Sequence, residues 1–204
     1  MKIRNKPVIM IDFGGVYFSH GRSMAIRKIA KKFGMPEKNV REVMSGRLWK
    51  KHHEGKMSSE EYWKAVSRRL NAPEEKWKWM ENAWHSSYKP QAGMKSLVRK
   101  LRKKYRVVVL SGNVKEKVRF LEKRYGIGKE FHGHHYSFDY GVSKPDARLF
   151  KKAAKKMSLR PADCIVVDDM ENFLEGVRKC GAKTILFKNA QQLEKELENL
   201  GVKA

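Results

Sequence analysis

Val8-Ile9-Met10-Ile11-Asp12-Phe13-Gly14-Gly15-Val16-Tyr17 is the stretch from which the rest of the chain can be read. Four apolar residues end in one carboxylate, and two glycines follow at once. The run predicts a short buried strand that delivers Asp12 to its carboxyl end, then a turn with little side-chain bulk. In open α/β sheets, ligands bind beyond the carboxyl ends of the strands, where the strand order reverses. An acid placed there is a candidate nucleophile or metal ligand. An aspartate that merely caps a turn fits this stretch equally well.

Working outward, residues 22–87 read as helices with no convincing strand. Met24, Ile26, Ile29, Ala30 and Phe33 have helical spacing, and Gly34 stops that helix. Pro36 opens a second helix. Gly46 and Gly55 bracket what reads as a loop, Arg47 to Glu54. Ser58 followed by Glu60 and Glu61 is an N-cap signal, and Pro73-Glu74-Glu75 starts a further helix. All five tryptophans fall in this segment, which suits the packing of a small helical bundle better than a ligand cage.

Beyond Lys89-Pro90 the text alternates. Strands are expected at Arg106–Leu110, His134–Phe138, Cys164–Val167 and Thr184–Phe187, with helices between them and a last helix at Ala190–Leu200. One helix is expected to open at Lys144-Pro145. Alternating strands and helices argue an α/β fold, a doubly wound parallel sheet with helices on both faces. The helical block interrupts that alternation after the first strand. The expected organisation is therefore a core of residues 1–16 and 90–204 with a helical cap, 17–89, inserted in it.

The 204 residues suit one domain with a smaller insert, and 41% hydrophobic residues can supply a core. No run approaches the roughly 18 apolar residues of a membrane span. The basic N-terminus, Met1 to Pro7, leads into a strand too short for a signal sequence, so a cytoplasmic protein without a membrane partner is expected, as monomer or homodimer. Cys164 and Cys180 read as buried free thiols. The charge is extreme, 46 Lys+Arg against 22 Asp+Glu for a net +24. Such a field concentrates anions, phosphate esters and nucleic acid among them. Much of it falls in residues 95–129, where only Glu116 and Glu122 oppose a dense set of lysines and arginines. The helices before and after the Arg106 strand are expected on one face of the sheet, with Arg99, Lys103, Lys117 and Arg124 turned to water. That face either keeps the protein solvated or docks a polyanion such as nucleic acid.

Four junctions carry polar residues: Asp12, Ser111, Lys144 and the pair Asp168-Asp169. Each alone has a plain explanation as a cap or a solvated charge. Together on one sheet edge they would be a set for phosphoryl transfer, since an anionic nucleophile needs a cation to approach phosphate and converging carboxylates need a metal.

With these residues the chain resembles the haloacid dehalogenase-like (HAD) hydrolase superfamily, in the branch with a helical cap inserted after the first motif. Ile-Asp-Phe-Gly-Gly-Val around Asp12 matches the first motif and Val-Val-Leu-Ser-Gly-Asn around Ser111 the second. Gly-Val-Ser-Lys-Pro-Asp-Ala around Lys144 matches the third, and Val-Val-Asp-Asp-Met-Glu-Asn at Asp168-Asp169 the fourth. The chain looks most like the small sugar-phosphate phosphatases of that branch, with an Asp-x-Gly first motif and a cap turn similar to Glu54-Gly55. The resemblance implies a Mg²⁺-dependent phosphatase acting on a small phosphorylated metabolite. Asp12 would form an aspartyl-phosphate that water then cleaves. Mg²⁺ would be held by Asp12, the Gly14 carbonyl and Asp169, with Asp168 beside them. Ser111 and Gly112, with Asn113 and Gly15, would bind the phosphoryl group, and Lys144 would neutralise charge.

Two positions depart from that pattern. Gly14 stands where most phosphatases of the superfamily carry a second aspartate as acid and base, so turnover is slowed or another group serves; His20, His52 and His53 are near in sequence. Phe173 stands where the fourth motif often has an acid or Asn, with Glu171 and Asn172 as substitutes. Two other readings compete. A metal-independent dehalogenase also lacks the second aspartate, but does not usually keep the paired acid of the fourth motif. A catalytically weak protein could bind a polyanion through its basic face.

Overall fold

A computed structural model describes residues 6–204; the expectation about the basic N-terminus rests mainly on residues 1–5, outside the described residues. Five strands form one parallel sheet: β1 (Val8–Ile11), β2 (Arg106–Ser111), β3 (His134–Tyr136), β4 (Cys164–Asp168) and β5 (Lys183–Leu186), in the order β3-β2-β1-β4-β5. The chain winds outward from β1 through β2 to β3, then crosses back to β4 on the other side. The order thus reverses between β1 and β4, where ligands bind in such sheets. Ile11 lies level with Val109 and Val167, so Asp12 emerges beside the ends of both neighbouring strands.

The inner strands are continuous runs of Val, Ile and Leu because both faces are covered. Alternation sends Ile9, Ile11, Val107 and Val109 to one core and Val8, Met10, Val108 and Val166 to the other. The first core is closed by α6 (Met94–Arg102) and α7 (Lys115–Tyr125), through Leu97, Val98, Leu101 and Leu121, and by α11 (Ala190–Asn199). The second is closed by α9 (Arg148–Lys156) and α10 (Glu171–Arg178), through Leu149, Phe150, Phe173, Leu174 and Val177. As expected, α6 and α7 share one face.

Between β1 and α6 come α1 (Gly21–Phe33), α2 (Glu37–Val43), α3 (Gly46–His53), α4 (Ser59–Arg69) and α5 (Trp77–His85). Their buried side chains, Ile26, Ile29, Trp63 and Trp84 among them, join the first core. Ser58 caps α4 in both directions: its hydroxyl accepts from the Glu61 N–H at 3.2 Å, and Glu61 accepts from the Ser58 N–H at 2.8 Å.

Three expectations are corrected. Residues 47–54 are mostly helical, not a loop. Gly46 and Gly55, read as loop signals, are the left-handed residues at which the chain enters and leaves α3. Leu48, Trp49, His52 and His53 then fall on one side of it, with both histidines buried. Lys144-Pro145 does not open a helix: these residues form a turn, and α9 begins at Arg148. Nor does Lys117 turn to water with the rest of the basic face. It is buried, whereas Arg99 and Lys95 reach Glu130, at 2.8 and 3.5 Å. Lys117 lies on the stripe Val114, Lys117, Leu121, whose i, i+3, i+7 spacing turns it inward.

Both cysteines are free thiols, and burial pushes the Cys164 thiol up to about 11. Among the described residues no helix is long and apolar enough to cross a membrane.

Candidate active site

The carboxyl edge of the sheet brings Asp12, Ser111 and Asp168 together from three adjacent strands, β1, β2 and β4. Lys144 reaches them from the turn that follows β3 and the single helical turn α8 (Ser137–Tyr140). Its ammonium donates to Asp12 Oδ1 at 2.6 Å and also to Asp168 Oδ2. All three side chains are almost wholly shielded from water. Burial works against the Lys144 ammonium, but the two carboxylates outweigh it and hold its pKa above the ordinary lysine value. Burial pushes the Asp168 carboxyl up, and Lys144 opposes that shift. Asp168 is further fixed by accepting from the Met170 N–H at 2.9 Å.

One carboxylate oxygen each from Asp12, Asp168 and Asp169 can be chosen so that all lie within 4.8 Å of one another. Burial raises the Asp169 pKa, and the Asp12 charge adds to the effect. One ammonium among three carboxylates leaves the cluster anionic, and all its donors are hard oxygens. Such a set suits Mg²⁺ or Ca²⁺ and not a thiophilic metal. The His20 imidazole stands 3.5 Å from Asp169, on the exposed side.

The glycines after β1 make room for this cluster. Gly15 has φ +92°, and a Cβ there would overlap the Asp169 carboxylate. Its carbonyl accepts from the Gln91 side chain at 2.9 Å, which ties the turn to the chain leading into α6. Gly15→Ala is therefore expected to cost about 1–3 kcal/mol of stability through strain and to displace Asp169. Thermal unfolding together with Mg²⁺ titration of the variant checks both effects; an unchanged midpoint and unchanged binding would contradict them. At Gly14 the Tyr88 ring borders the space a side chain would enter, its Cε1 at ordinary contact distance, 3.4 Å, from the Cβ position.

On the β2 side, Ser111 and Asn113 are buried. The Asn113 N–H donates to Ser137 Oγ at 3.0 Å, and its side-chain Nδ2 is buried without a partner. Gly112 packs against the aliphatic stem of Lys144, 3.8 Å from its Cγ to the Cβ position. Glu54 accepts from Ser143 at 3.2 Å and from Lys56 at 2.7 Å. The turn after α3 is thereby tied to the residue preceding Lys144.

The structure thus gathers Asp12, Lys144, Asp168 and Asp169, with Gly14, Gly15, Ser111, Gly112 and Asn113 around them. It does not bring in the expected substitutes for an acid at Phe173. Glu171 is paired with Arg178 on the surface, and Asn172 is exposed. Phe173 itself lies in the second core, its ring centroid 4.9 Å from the Lys144 ammonium. His52 and His53 are buried, and burial drives both imidazole pKa values far down, His52 to about 3. They are neutral at neutral pH and weak bases. Sequence reasoning missed Tyr88, Lys117 and the Glu54–Ser143 link. Only Lys117 had a usable signal, its place on the apolar stripe of α7.

Comparison with known proteins agrees with this geometry. Residues 8–181 match the family model of haloacid dehalogenase-like hydrolases. An uncharacterised protein of Dictyostelium discoideum is 25% identical over 146 residues, 70% of this chain, and the match spans 63% of that protein's length. A flavin mononucleotide hydrolase of Arabidopsis thaliana is 22% identical over 199 residues, 98% of this chain and 79% of that protein. A HAD family enzyme of Bacteroides thetaiotaomicron, crystallised with magnesium and inorganic phosphate, superposes with a TM-score of 0.75 at 20% identity, covering 91% of this chain and 96% of its own. With its five-stranded parallel sheet and its carboxylates at the switch point, the chain belongs to the haloacid dehalogenase-like hydrolase family.

Proposed function

We propose that the protein is a Mg²⁺-dependent phosphatase of small phosphomonoesters, with Asp12 as nucleophile and residues 17–89 as a cap over the substrate. The observation that carries this reading is the sharing of one buried ammonium by Asp12 and Asp168 while a third carboxylate, Asp169, stands beside them. Lys144 holds the Asp12 carboxylate in place and offsets its repulsion of an incoming phosphate. Asp12 attacks phosphorus, the ester bond breaks, and the acyl phosphate is then hydrolysed by water. The Ser111 hydroxyl and the backbone N–H groups of Gly112 and Asn113 bind phosphoryl oxygens. Asp12, Asp169 and the Gly14 carbonyl would hold Mg²⁺, which when bound neutralises the charge of the phosphoryl group. Asp168 serves mainly to orient Lys144. The magnesium and phosphate held by the Bacteroides enzyme and the phosphate ester named for the Arabidopsis hydrolase support the same chemistry.

Asp169 argues against a metal-independent dehalogenase, which has no need of a third carboxylate in so crowded a place. The test is hydrolysis of p-nitrophenyl phosphate with Mg²⁺ and in excess chelator. Turnover should appear with the metal and vanish without it. Asp169→Ala should weaken Mg²⁺ binding in calorimetry by more than the roughly 10–100-fold that loss of an outer-shell partner costs. Activity undiminished in chelator would overturn the metal requirement, and no phosphate release with metal would overturn the phosphatase reading.

A further inference from the structure

Arg99 and Lys103 of α6 stand on a ridge between two grooves. One groove, of about 370 Å³, is lined by Arg99, Arg102, Lys103, Lys129 and Glu130. The other, of about 550 Å³, is lined by Gly93, Lys95, Ser96, Arg99, Lys100 and Lys103. Glu130 is the one acid among them, and it is buried. It accepts from Arg99 at 2.9 and 2.8 Å and holds Lys95 at 3.5 Å, so its charge is spent on two cations. The same clamp fixes the Arg99 guanidinium, while the Arg99 side chain stays 60% exposed. Lys100 meets Glu194 at 3.3 Å. Arg102, Lys103 and Lys129 are exposed and form no ion pair among the described residues.

The helix register makes the ridge. Met94, Leu97, Val98 and Leu101 turn inward. Lys95, Arg99 and Lys103 are left in one exposed row at i, i+4 and i+8. Such a row runs for about 12 Å. On the same face of the sheet α7 repeats the spacing with Lys115, Arg119 and Lys123, all exposed. Like charges at i, i+4 destabilise a helix. Solubility asks for net charge wherever it lies, and not for this alignment. Rows of cations with grooves beside them fit a chain of phosphates.

The chemistry of the face selects among polyanions. Faces that bind membranes pair their cations with apolar side chains, and proteins that bind single strands stack the bases on aromatic side chains. Among the described residues the large exposed hydrophobics are Met24, Trp79 and Leu186, on α1, α5 and β5, and none stands on α6 or α7. Cations alone suit phosphates that a duplex holds at fixed spacing. We propose that the α6 face, with Lys129 beside it, binds double-stranded nucleic acid through its phosphates and without regard to sequence. The face belongs to the helices on one side of the sheet and the catalytic carboxylates to its carboxyl edge, so this binding is independent of the phosphatase reading.

The experiment titrates labelled RNA and DNA duplexes of about 20 base pairs and unrelated sequence with the full chain, reading fluorescence anisotropy at about 50 and 200 mM salt. Four phosphate contacts would weaken binding by roughly 10²-fold between the two. One variant carries Arg102→Glu, Lys103→Glu and Lys129→Glu. It should bind at least about tenfold more weakly at the lower salt, with a salt slope smaller by about three. A control carries Lys151→Glu, Lys155→Glu and Lys179→Glu, exposed positions on α9 and just after α10, on the opposite face. It changes the net charge equally and should lose far less. No duplex binding at the lower salt, equal loss in both variants, or preference for phosphatidylserine vesicles over duplexes would overturn the proposal. Should a variant fail to fold, lysine acetylation of the wild-type protein with and without duplex decides. Protection of Lys103 and Lys129 but not of Lys151 and Lys155 supports the face, and uniform protection or none overturns it.

Discussion

Asp12→Asn is expected to abolish phosphomonoester hydrolysis, by on the order of 10⁶-fold in kcat, the scale seen when a covalent nucleophile is removed. The amide is nearly isosteric but cannot form the acyl phosphate. The fold should survive, for two reasons. The residue is anchored by its backbone, the Asp12 N–H donating to the Val167 carbonyl at 3.0 Å. Breaking a buried ion pair usually costs about 3–5 kcal/mol because a charge is left unpaired, but here Lys144 keeps Asp168. One carboxylate fewer also relieves repulsion in a cluster with three of them. Steady-state kinetics and a melting curve on the same preparation check both parts. Full turnover would end the covalent reading, and a collapsed fold would show that Asp12 is needed for stability as well.

Lys117→Met is expected to stabilise the protein, because it removes a buried ammonium that no carboxylate pairs among the described residues. The fold lowers the Lys117 pKa from 10.5 to about 7. At 1.36 kcal/mol for each unit, an ammonium forced into that slot costs on the order of 3–5 kcal/mol, which an apolar side chain of similar length avoids. At 2–4 °C for each kcal/mol in a chain of this size, the melting temperature should rise by roughly 10 °C at pH 7. The pH dependence gives the sign. Below pH 7 both the folded and the unfolded chain hold the proton, and the cost is fully present. Between about pH 7 and 10.5 the unfolded chain binds one proton more than the folded one, so wild-type stability rises with pH by about 1.4 kcal/mol per unit. The variant's advantage should shrink accordingly. Urea unfolding of both proteins at pH 7 and pH 9 measures it, and an advantage that does not change with pH would contradict the burial argument.

What could be read from the sequence, and what could not, follows from the range of each interaction. Asp12, Ser111 and Asp168 were legible because each ends a run of Val, Ile or Leu. Parallel strands place such ends on one edge whatever the loops do. Lys144 was legible by its motif alone, since a turn carries no periodicity to say where a side chain points. The segment 46–53 was misread because the glycines at its ends are equally good signals for a loop and for the limits of a short helix. Lys117 was misread because net charge along a segment says nothing of which face a given lysine occupies. Its spacing from Val114 and Leu121 was the better guide. Tyr88 over Gly14, and Glu54 on Ser143, join residues more than 70 positions apart, and no local pattern encodes such contacts.

Mixing the wild-type protein with Mg²⁺ and a phosphomonoester carrying labelled phosphate, quenching in acid within the first turnovers and mapping the peptides tests the central claim most directly. Label should appear on the peptide containing Asp12, should be released by hydroxylamine as an acyl phosphate is, and should be absent from Asp12→Asn. Phosphate released with no labelled protein at any time, or label carried on a histidine or serine instead, would contradict it.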